Sequence, residues 1–264
     1  MSDKVEILRA QYLDVLKQVP YNTAIATRKV ADAPIPPHMG DICIGQTALL
    51  QQRICERGIG DTRVLRDVIH GRHHPLVVII EGVKYYSDVY LMLHEPINLN
   101  RVVDSPNHEL TFDVFPHIGD ERSQLTVSVH EDGQCFRVRK TWPKSSRIDA
   151  FEYDFNDKNN HLPTAKEYAR MVLAPQTTTL TLRVLDIDTG SLAQIVYPLT
   201  PSPIDKKEIY AKTSEERKVP LSDTSRFQVA IKPLLTHTGM SCEELVQFLF
   251  ESAQIHRALE QEKP

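Results

Sequence analysis

The sequence contains few cysteines and no long hydrophobic run. Four of its 264 residues are cysteine. They are widely spaced and form no CxxC pair: Cys43, Cys55, Cys135 and Cys242. This spacing indicates no disulfide framework, so we expect free thiols in a reducing compartment. The longest apolar run, Leu76–Ile80, suits a buried strand and is much shorter than the roughly 20 residues that span a bilayer.

The sequence also lacks an excess of basic charge. It has 31 lysines and arginines against 35 aspartates and glutamates, which gives a net charge of −4. Proteins whose main partner is nucleic acid or an anionic membrane are usually basic, so neither partner is indicated. The first residues are charged and lack the apolar core of a signal peptide. We therefore expect a cytoplasmic protein that binds neither nucleic acid nor membranes.

Two common kinds of site are not indicated either. There is no GxGxxG or other glycine-rich phosphate loop. The cluster of His70, His73 and His74 could attract a metal, but no acidic or thiol ligand has a matching local spacing, so we predict no metal site. Trp142, between Lys140 and Lys144, is interpreted as a strand-end aromatic among solvated lysines.

Hydrophobic periodicity predicts helices first and strands afterwards. Three- and four-residue steps predict helices over 5–18, 163–173 and 243–259, with a short helix near 24–30. Another helix is predicted to begin at about Cys43 or Gln46 and to end at Arg57. A strand is also considered over 64–69. Alternating patterns predict further strands over 76–81, 84–92, 110–115, 124–130, 134–140, 178–187 and 192–197.

This order is typical of an α+β fold. We expect an N-terminal helical part over 1–70 that carries a nucleophile helix. An antiparallel β-sheet or barrel would follow over 71–199 and carry a histidine and an aspartate. The mixed C-terminal part, 200–264, is predicted to be a surface connection followed by a closing helix.

Three residues in the middle of this pattern could form a thiol site. Cys43 lies where an extended, glycine-containing segment meets a predicted helix, and helix N-termini favour the thiolate form of cysteine. His73 and His74 precede the strand 76–81, and Asp88 lies on the returning strand. A two-residue or a three-residue turn brings the histidines close to Asp88, and periodicity does not choose between the two histidines. A nucleophile, a base and a group that orients the base are the parts of a catalytic triad.

The segment from His73 to Val89 resembles the His-to-Asp segment of arylamine N-acetyltransferases. Those enzymes have a histidine, an apolar strand, a glycine, an aromatic residue and an Asp-Val pair at matching intervals. Counted back from Asp88, the family's histidine falls on His73. Gly40 and Cys43 match the first glycine and the cysteine of the family's Arg-Gly-Gly-x-Cys motif. Upstream, the sequence Val-Pro-Tyr-Asn from residue 19 is similar to the family's Ile-Pro-Phe-Glu-Asn stretch.

The sequence departs from that family at several motif positions. Met39 and Asp41 replace the arginine and the second glycine before the cysteine. Gly45 replaces a glutamate that usually lies two residues after it. The family's Asp-Val-Gly ending is here Asp-Val followed by Tyr90.

The resemblance implies a Cys43–His73–Asp88 triad in a thiol-dependent acyltransferase. An acyl group would pass from a thioester such as acetyl-CoA, through an acyl-cysteine, to a small-molecule amine. The acyl thioester would be a co-substrate, with no tightly bound cofactor. One alternative is a transglutaminase- or cysteine-protease-like enzyme that cleaves amides with the same triad. Another is a non-catalytic binding module of the same fold. The sequence does not separate these three hypotheses, and it does not reveal the oligomeric state.

Overall fold

A computed structural model describes residues 3–175, 177–200, 204–214 and 218–262. The described chain is α+β, as predicted. Its α-helices are α1 (Asp3–Gln18), α2 (Thr23–Val30), α3 (Cys43–Glu56), α4 (Leu99–Val103), α5 (Ala165–Val172), α6 (Thr224–Thr238) and α7 (Cys242–Gln261). Its strands are β1 (Tyr21–Asn22), β2 (Asp61–Val64), β3 (Leu76–Ile80), β4 (Val83–Ser87), β5 (Ile97–Asn98), β6 (Glu109–Ile118), β7 (Glu121–Val129), β8 (Cys135–Thr141), β9 (Ile148–Asp154), β10 (Thr179–Asp186), β11 (Ser191–Pro198), β12 (Tyr210–Thr213) and β13 (Val219–Pro220).

The chain forms two compact units that each contain separate stretches of sequence. The first comprises residues up to Gln18 together with Cys43–Leu162, and the second comprises Val19–Ile42 together with residues from Pro163 onward. The division into 1–70, 71–199 and 200–264 remains a prediction about domains, and these compact units divide the chain at other positions. No helix in the described ranges is long and apolar enough to cross a membrane.

The first unit contains two antiparallel four-stranded sheets, in the orders β2-β3-β4-β5 and β6-β7-β8-β9. Both sheets are open, so the sheet alternative is confirmed and the barrel alternative is not. Helix α3 packs against β2 and β3, and α1 packs against α3. The apolar side chains of β3 are almost all buried, because one face of the strand meets the helix and the other meets the interior of the unit. This packing fixes the start of α3 relative to the start of β3.

The second unit has a five-stranded sheet in the order β1-β10-β11-β12-β13. Helices α2, α6 and α7 pack on it and enclose a core of apolar side chains. Arg28 of α2 is buried, donates to Ser252 Oγ (2.8 Å) and pairs with Glu251 (2.8 Å) on α7. Because a buried guanidinium needs several acceptors, these bonds fix α2 against α7.

Most of the predicted helices and strands are confirmed to within a few residues. The strand predicted over 84–92 ends at Ser87, because the chain turns there and Met92 takes a positive φ of 55°. The strand considered over 64–69 is instead β2, at Asp61–Val64. Strand β9 was not predicted.

Helix α6 was not predicted either, and it contains Pro233. Proline disfavours a helix interior. Here Phe227, Ile231 and Leu234 bury one face of the helix, and packing of that face outweighs the local preference. The connection expected over 200–225 contains β12 and β13, and parts of it lie outside the described residues.

The closing helix begins with a reciprocal capping box. Ser241 Oγ accepts from the Glu244 amide (3.2 Å), and the Ser241 amide donates to the Glu244 carboxylate (2.7 Å). Replacing Ser241 by alanine leaves the Glu244 amide unpaired. We expect Ser241→Ala to lower the free energy of unfolding by about 1 kcal/mol, measured by urea denaturation.

Ser225→Ala is the matched control, because Ser225 is exposed in the first turn of α6, where Asp223 supplies the cap. We expect this change to alter stability by within about 0.5 kcal/mol. Equal losses for the two variants would contradict a capping role for Ser241.

Candidate functional site

Cys43 is the first residue of α3. The first amides of a helix have no partner within the helix, so they favour a negative charge at this position. Three residues earlier, Gly40 has a φ of +73°, and a Cβ atom there would lie 2.0 Å from the Pro20 carbonyl oxygen. This is why the sequence motif has a glycine before the cysteine. The predicted location of Cys43 at a helix N-terminus is confirmed.

A hydrogen bond between α3 and the loop before β3 brings this cysteine to the histidines. Thr47, one helical turn after Cys43, donates from its hydroxyl to the His74 carbonyl oxygen (2.6 Å). Residues four apart share one face of a helix, so Cys43 faces the same loop. Cys43 is among the groups that raise the pKa of His73, so the thiol lies near that imidazole.

His73 is also bonded to Asp88. Its Nε2 atom lies 2.6 Å from Asp88 Oδ2, and both side chains are buried. The structure therefore shows the bond between His73 and Asp88, and it brings Cys43 near the same imidazole. Two aromatic rings cover the imidazole: Phe151 at a centroid distance of 4.3 Å and Tyr90 at 5.0 Å. These rings limit the access of water to the pair.

The electrostatics of the pair favour its charged form. Burial lowers the pKa of His73, but the charge and hydrogen bond of Asp88, together with those of Cys43, raise this pKa to about 10. Burial raises the pKa of Asp88, but the charge and hydrogen bond of His73 leave that pKa below its ordinary value. A buried imidazolium and carboxylate stabilise one another because the surrounding dielectric is low.

The register of β3 and β4 explains which histidine meets Asp88. Ile80 pairs with Val83 and Leu76 pairs with Ser87, which confirms the two-residue turn. Neighbouring side chains point in different directions, so His73 meets Asp88 and His74 does not. His74 is buried too, and burial and the charge of His73 lower its pKa to about 4.

Asp88 follows β4 rather than lying within it, so its prediction as a strand residue was wrong. The turn that begins at Asp88 is held by Tyr12 of α1. Tyr12 donates to the Asp88 carbonyl oxygen (3.0 Å) and accepts from the Leu93 amide (2.7 Å). The carboxylate itself accepts from the Tyr86 hydroxyl (2.6 Å) and the Leu91 amide (3.1 Å).

The interpretation of Lys140 as a solvated lysine was wrong. Lys140 is fully buried, and its ammonium donates to the carbonyl oxygens of Leu91 (2.7 Å) and Phe115 (2.5 Å). It also lies 4.2 Å from the centre of the Trp142 ring. The alternation along β8 places Lys140 on the same face as the buried Val138, and this pattern is the signal that could have found it.

His70 does not join His73 and His74 in a metal site. Among the described residues, no group of three or more histidine, cysteine or acidic side chains is placed to hold a metal ion.

The fold is that of arylamine N-acetyltransferases. The enzyme from Salmonella typhimurium superposes with a TM-score of 0.52 at 12% identity, over 96% of this chain and 92% of that one. An N-arylamine acetyltransferase from Mycobacterium smegmatis gives a TM-score of 0.52 at 12% identity, over 95% of this chain and 92% of the other. No protein-family model matches the sequence. A search of curated protein sequences gave no significant match. The predicted α+β fold of the arylamine N-acetyltransferase type is thus confirmed by structure.

The opposite pKa shifts of the two histidines give a prediction for solution measurements. At pH 7 we expect His73 to be protonated, since its pKa is about 10, and His74 to be neutral, since its pKa is about 4. NMR titration of the imidazole signals should therefore show that neither residue changes charge near the ordinary pKa of histidine. Titration midpoints near that ordinary pKa for both residues would contradict a buried ion pair of His73 and Asp88.

The same shifts set two pH windows for stability. Because the pKa of His73 is raised, its protonation stabilises the fold at pH values below the ordinary pKa of histidine. This contribution is lost as the pH rises toward 10. The lowered pKa of His74 has the opposite effect, so its contribution is lost as pH falls toward 4.

Proposed function

We propose that this protein is a thiol-dependent acyltransferase with a Cys43–His73–Asp88 triad. The bond between a buried imidazole and a buried carboxylate, with the Cys43 thiol near enough to raise the pKa of that imidazole, carries the proposal. The position of Cys43 at the start of α3 adds the favourable field of a helix N-terminus. The fold similarity to arylamine N-acetyltransferases supports acyl transfer over the other reactions of such triads.

In the first half-reaction, the Cys43 thiolate attacks the carbonyl carbon of an acyl thioester. The bond between that carbon and the thioester sulfur breaks, and the departing thiolate takes a proton from the His73 imidazolium. The product is an acyl-cysteine and a free thiol. The amide groups at the start of α3 would lie beside the reacting carbon and would stabilise the negative charge that develops on its oxygen.

In the second half-reaction, a small-molecule amine attacks the acyl-cysteine. His73, now neutral, accepts a proton from the amine nitrogen, and the Cys43 thiolate is released as the leaving group. Asp88 keeps its charge throughout and holds the imidazole in one tautomer and one orientation. The proposed co-substrate is acetyl-CoA or another acyl thioester. We propose no metal and no tightly bound cofactor, and we place the reaction in the cytoplasm.

The first test of this proposal is the reactivity of the four thiols. A thiolate stabilised by an imidazolium reacts with iodoacetamide under mildly acidic conditions, in which ordinary thiols react slowly. We expect Cys43 to be alkylated much faster than the other cysteines at about pH 6. Cys55 is the informative control, because it is exposed whereas Cys43 is half-buried. Equal rates, or a faster Cys55, would mean that access alone decides reactivity.

Histidine variants provide the matched control for that experiment. His73→Ala removes the partner of the thiol and should abolish the fast reaction. His74→Ala removes an equally buried histidine whose side chain does not bond to Asp88, and should leave the fast reaction in place. The reverse result would contradict the assignment of His73.

The second test addresses acyl transfer directly. Mixing the protein with acetyl-CoA should add one acetyl group, found by intact mass and peptide mapping on Cys43. Asp88→Asn keeps the side-chain size but offers a donor where the imidazole needs an acceptor. We expect this variant to acylate more slowly by a factor on the order of 10⁴.

A fast Cys43 that no acyl-CoA acylates, but that a peptide or glutamine amide does, would overturn acyl transfer from thioesters. That result would favour the amide-cleaving alternative. A Cys43 that is neither fast nor acylated would favour a non-catalytic binding module.

A further inference from the structure

The carboxylate of Asp88 has hydrogen-bond donors on both of its oxygen atoms. Oδ2 lies 2.6 Å from His73 Nε2 and accepts from the Tyr86 hydroxyl, also at 2.6 Å. Oδ1 accepts from the Leu91 amide at 3.1 Å. The terminal torsion of an aspartate is soft, so these donors, rather than a rotamer preference, determine how the carboxylate is turned.

Tyr86 is well suited to hold this carboxylate. It is fully buried on β4, and its ring packs edge-on against Phe136 at a centroid distance of 5.4 Å. Burial and the charge of Asp88 raise the pKa of Tyr86 well above its ordinary value, so the hydroxyl stays protonated and acts as a donor. Tyr86 and Asp88 are two residues apart, and the bond between their side chains shows that both point toward the same interior.

The other titratable groups around Asp88 do not replace this bond. Tyr12 of α1 bonds to the backbone oxygen of Asp88 and not to its carboxylate. Burial and the charge of Asp88 also raise the pKa of Tyr153 on β9, so this neighbour stays neutral as well. His73 is the cation of the group, and Cys43 acts on His73 rather than on the Asp88 carboxylate.

We propose that Tyr86 is a positioning residue of the site, whose hydroxyl holds Asp88 Oδ2 against His73 Nε2. This inference rests on the proposed function, because the orientation matters only if His73 serves a reactive Cys43. The Leu91 amide holds the other carboxylate oxygen, Oδ1. Lys140 helps to fix Leu91 by binding its carbonyl oxygen (2.7 Å).

Tyr86→Phe tests the inference, because it removes the hydroxyl and retains the ring that packs on Phe136. Without this donor the carboxylate can turn away from His73 and also loses a bond that favours its ionised form. We expect Cys43 alkylation to slow by between about tenfold and 100-fold. The acid limb of the rate–pH profile should move upward by on the order of one pH unit, because Asp88 then becomes protonated at higher pH.

Tyr85→Phe is the matched control. Tyr85 is the neighbouring residue of β4, so its side chain points to the opposite face of the strand. Its profile should superimpose on that of the wild type. A purely structural role for Tyr86 would lower the thermal midpoint without moving the acid limb.

The outcomes separate this inference from the proposed function. If Cys43 is fast in the wild type and the Tyr86→Phe profile superimposes on it, the inference is overturned and the proposed function stands. If Cys43 is no faster than Cys55 in the wild type, the proposed function fails and the inference fails with it.

If Tyr86→Phe does not fold, the wild type still provides a test. NMR titration of the Asp88 carboxyl carbon should show a pKa below the ordinary value for aspartate. Titration at or above that ordinary value would mean that the donors do not hold the ionised carboxylate, and it would overturn the inference.

Discussion

The buried pair of His73 and Asp88 is the contact on which the arrangement of the first unit depends. Moving charges out of water is costly, and a buried carboxylate is tolerated only when its oxygen atoms are bonded. Tyr86, Leu91 and His73 supply those bonds. Each of these donors must in turn be held in place. The charged pair therefore requires contacts from helices and strands that are distant in sequence.

The turn after β4 is held by such contacts. The turn cannot shift while Tyr12 bonds to its first carbonyl oxygen and to the Leu93 amide. Lys140 binds the same turn from β8 and connects it to the Phe115 backbone of β6. The bonds from the buried ammonium to these carbonyl oxygens offset part of the free energy lost when the ammonium leaves water. Helix α1 and both sheets of this unit therefore meet at the turn that carries Asp88.

The hairpin of β3 and β4 gives the site its precision. Glu81 and Gly82 both have positive φ values, 52° and 81°, as a tight two-residue turn requires. This turn fixes the strand register, and a slip of one residue would present His74 in place of His73. Periodicity left both turn lengths open, because Glu-Gly is compatible with each, and only the observed pairing of Ile80 with Val83 distinguishes them.

The three proposed triad residues were proposed from sequence because each has a local signal. Cys43 precedes a helical period, the histidines precede an apolar strand, and Asp88 was placed on the returning strand; the choice of His73 came from the family resemblance. The contacts that hold the turn after β4 could not be found in the same way. Tyr12 is 76 residues from Asp88, and Lys140 is 49 residues from Leu91. Local periodicity carries no information about such pairings, which only tertiary packing creates.

Helix α6 shows the same limit of local patterns. Its interior proline argues against a helix, and only burial of its apolar face on the five-stranded sheet explains why it forms. The fold class was predictable because it depends on the order of periodic segments. The details of the site depend on contacts between segments that no single window of sequence contains.

Tyr90 is one of the departures from the family motif, and its side chain fills space beside His73. Where the resembling family has a glycine after its Asp-Val pair, this chain has a tyrosine whose ring lies 5.0 Å from the His73 ring. Arg147 donates to the Tyr90 hydroxyl (3.2 Å) and also pairs with Asp149, which fixes that ring in place. Phe151 packs on the imidazole as well. A glycine would leave the space occupied by the Tyr90 ring open. The space beside the His73 imidazole is therefore smaller in this chain than a glycine at position 90 would leave it.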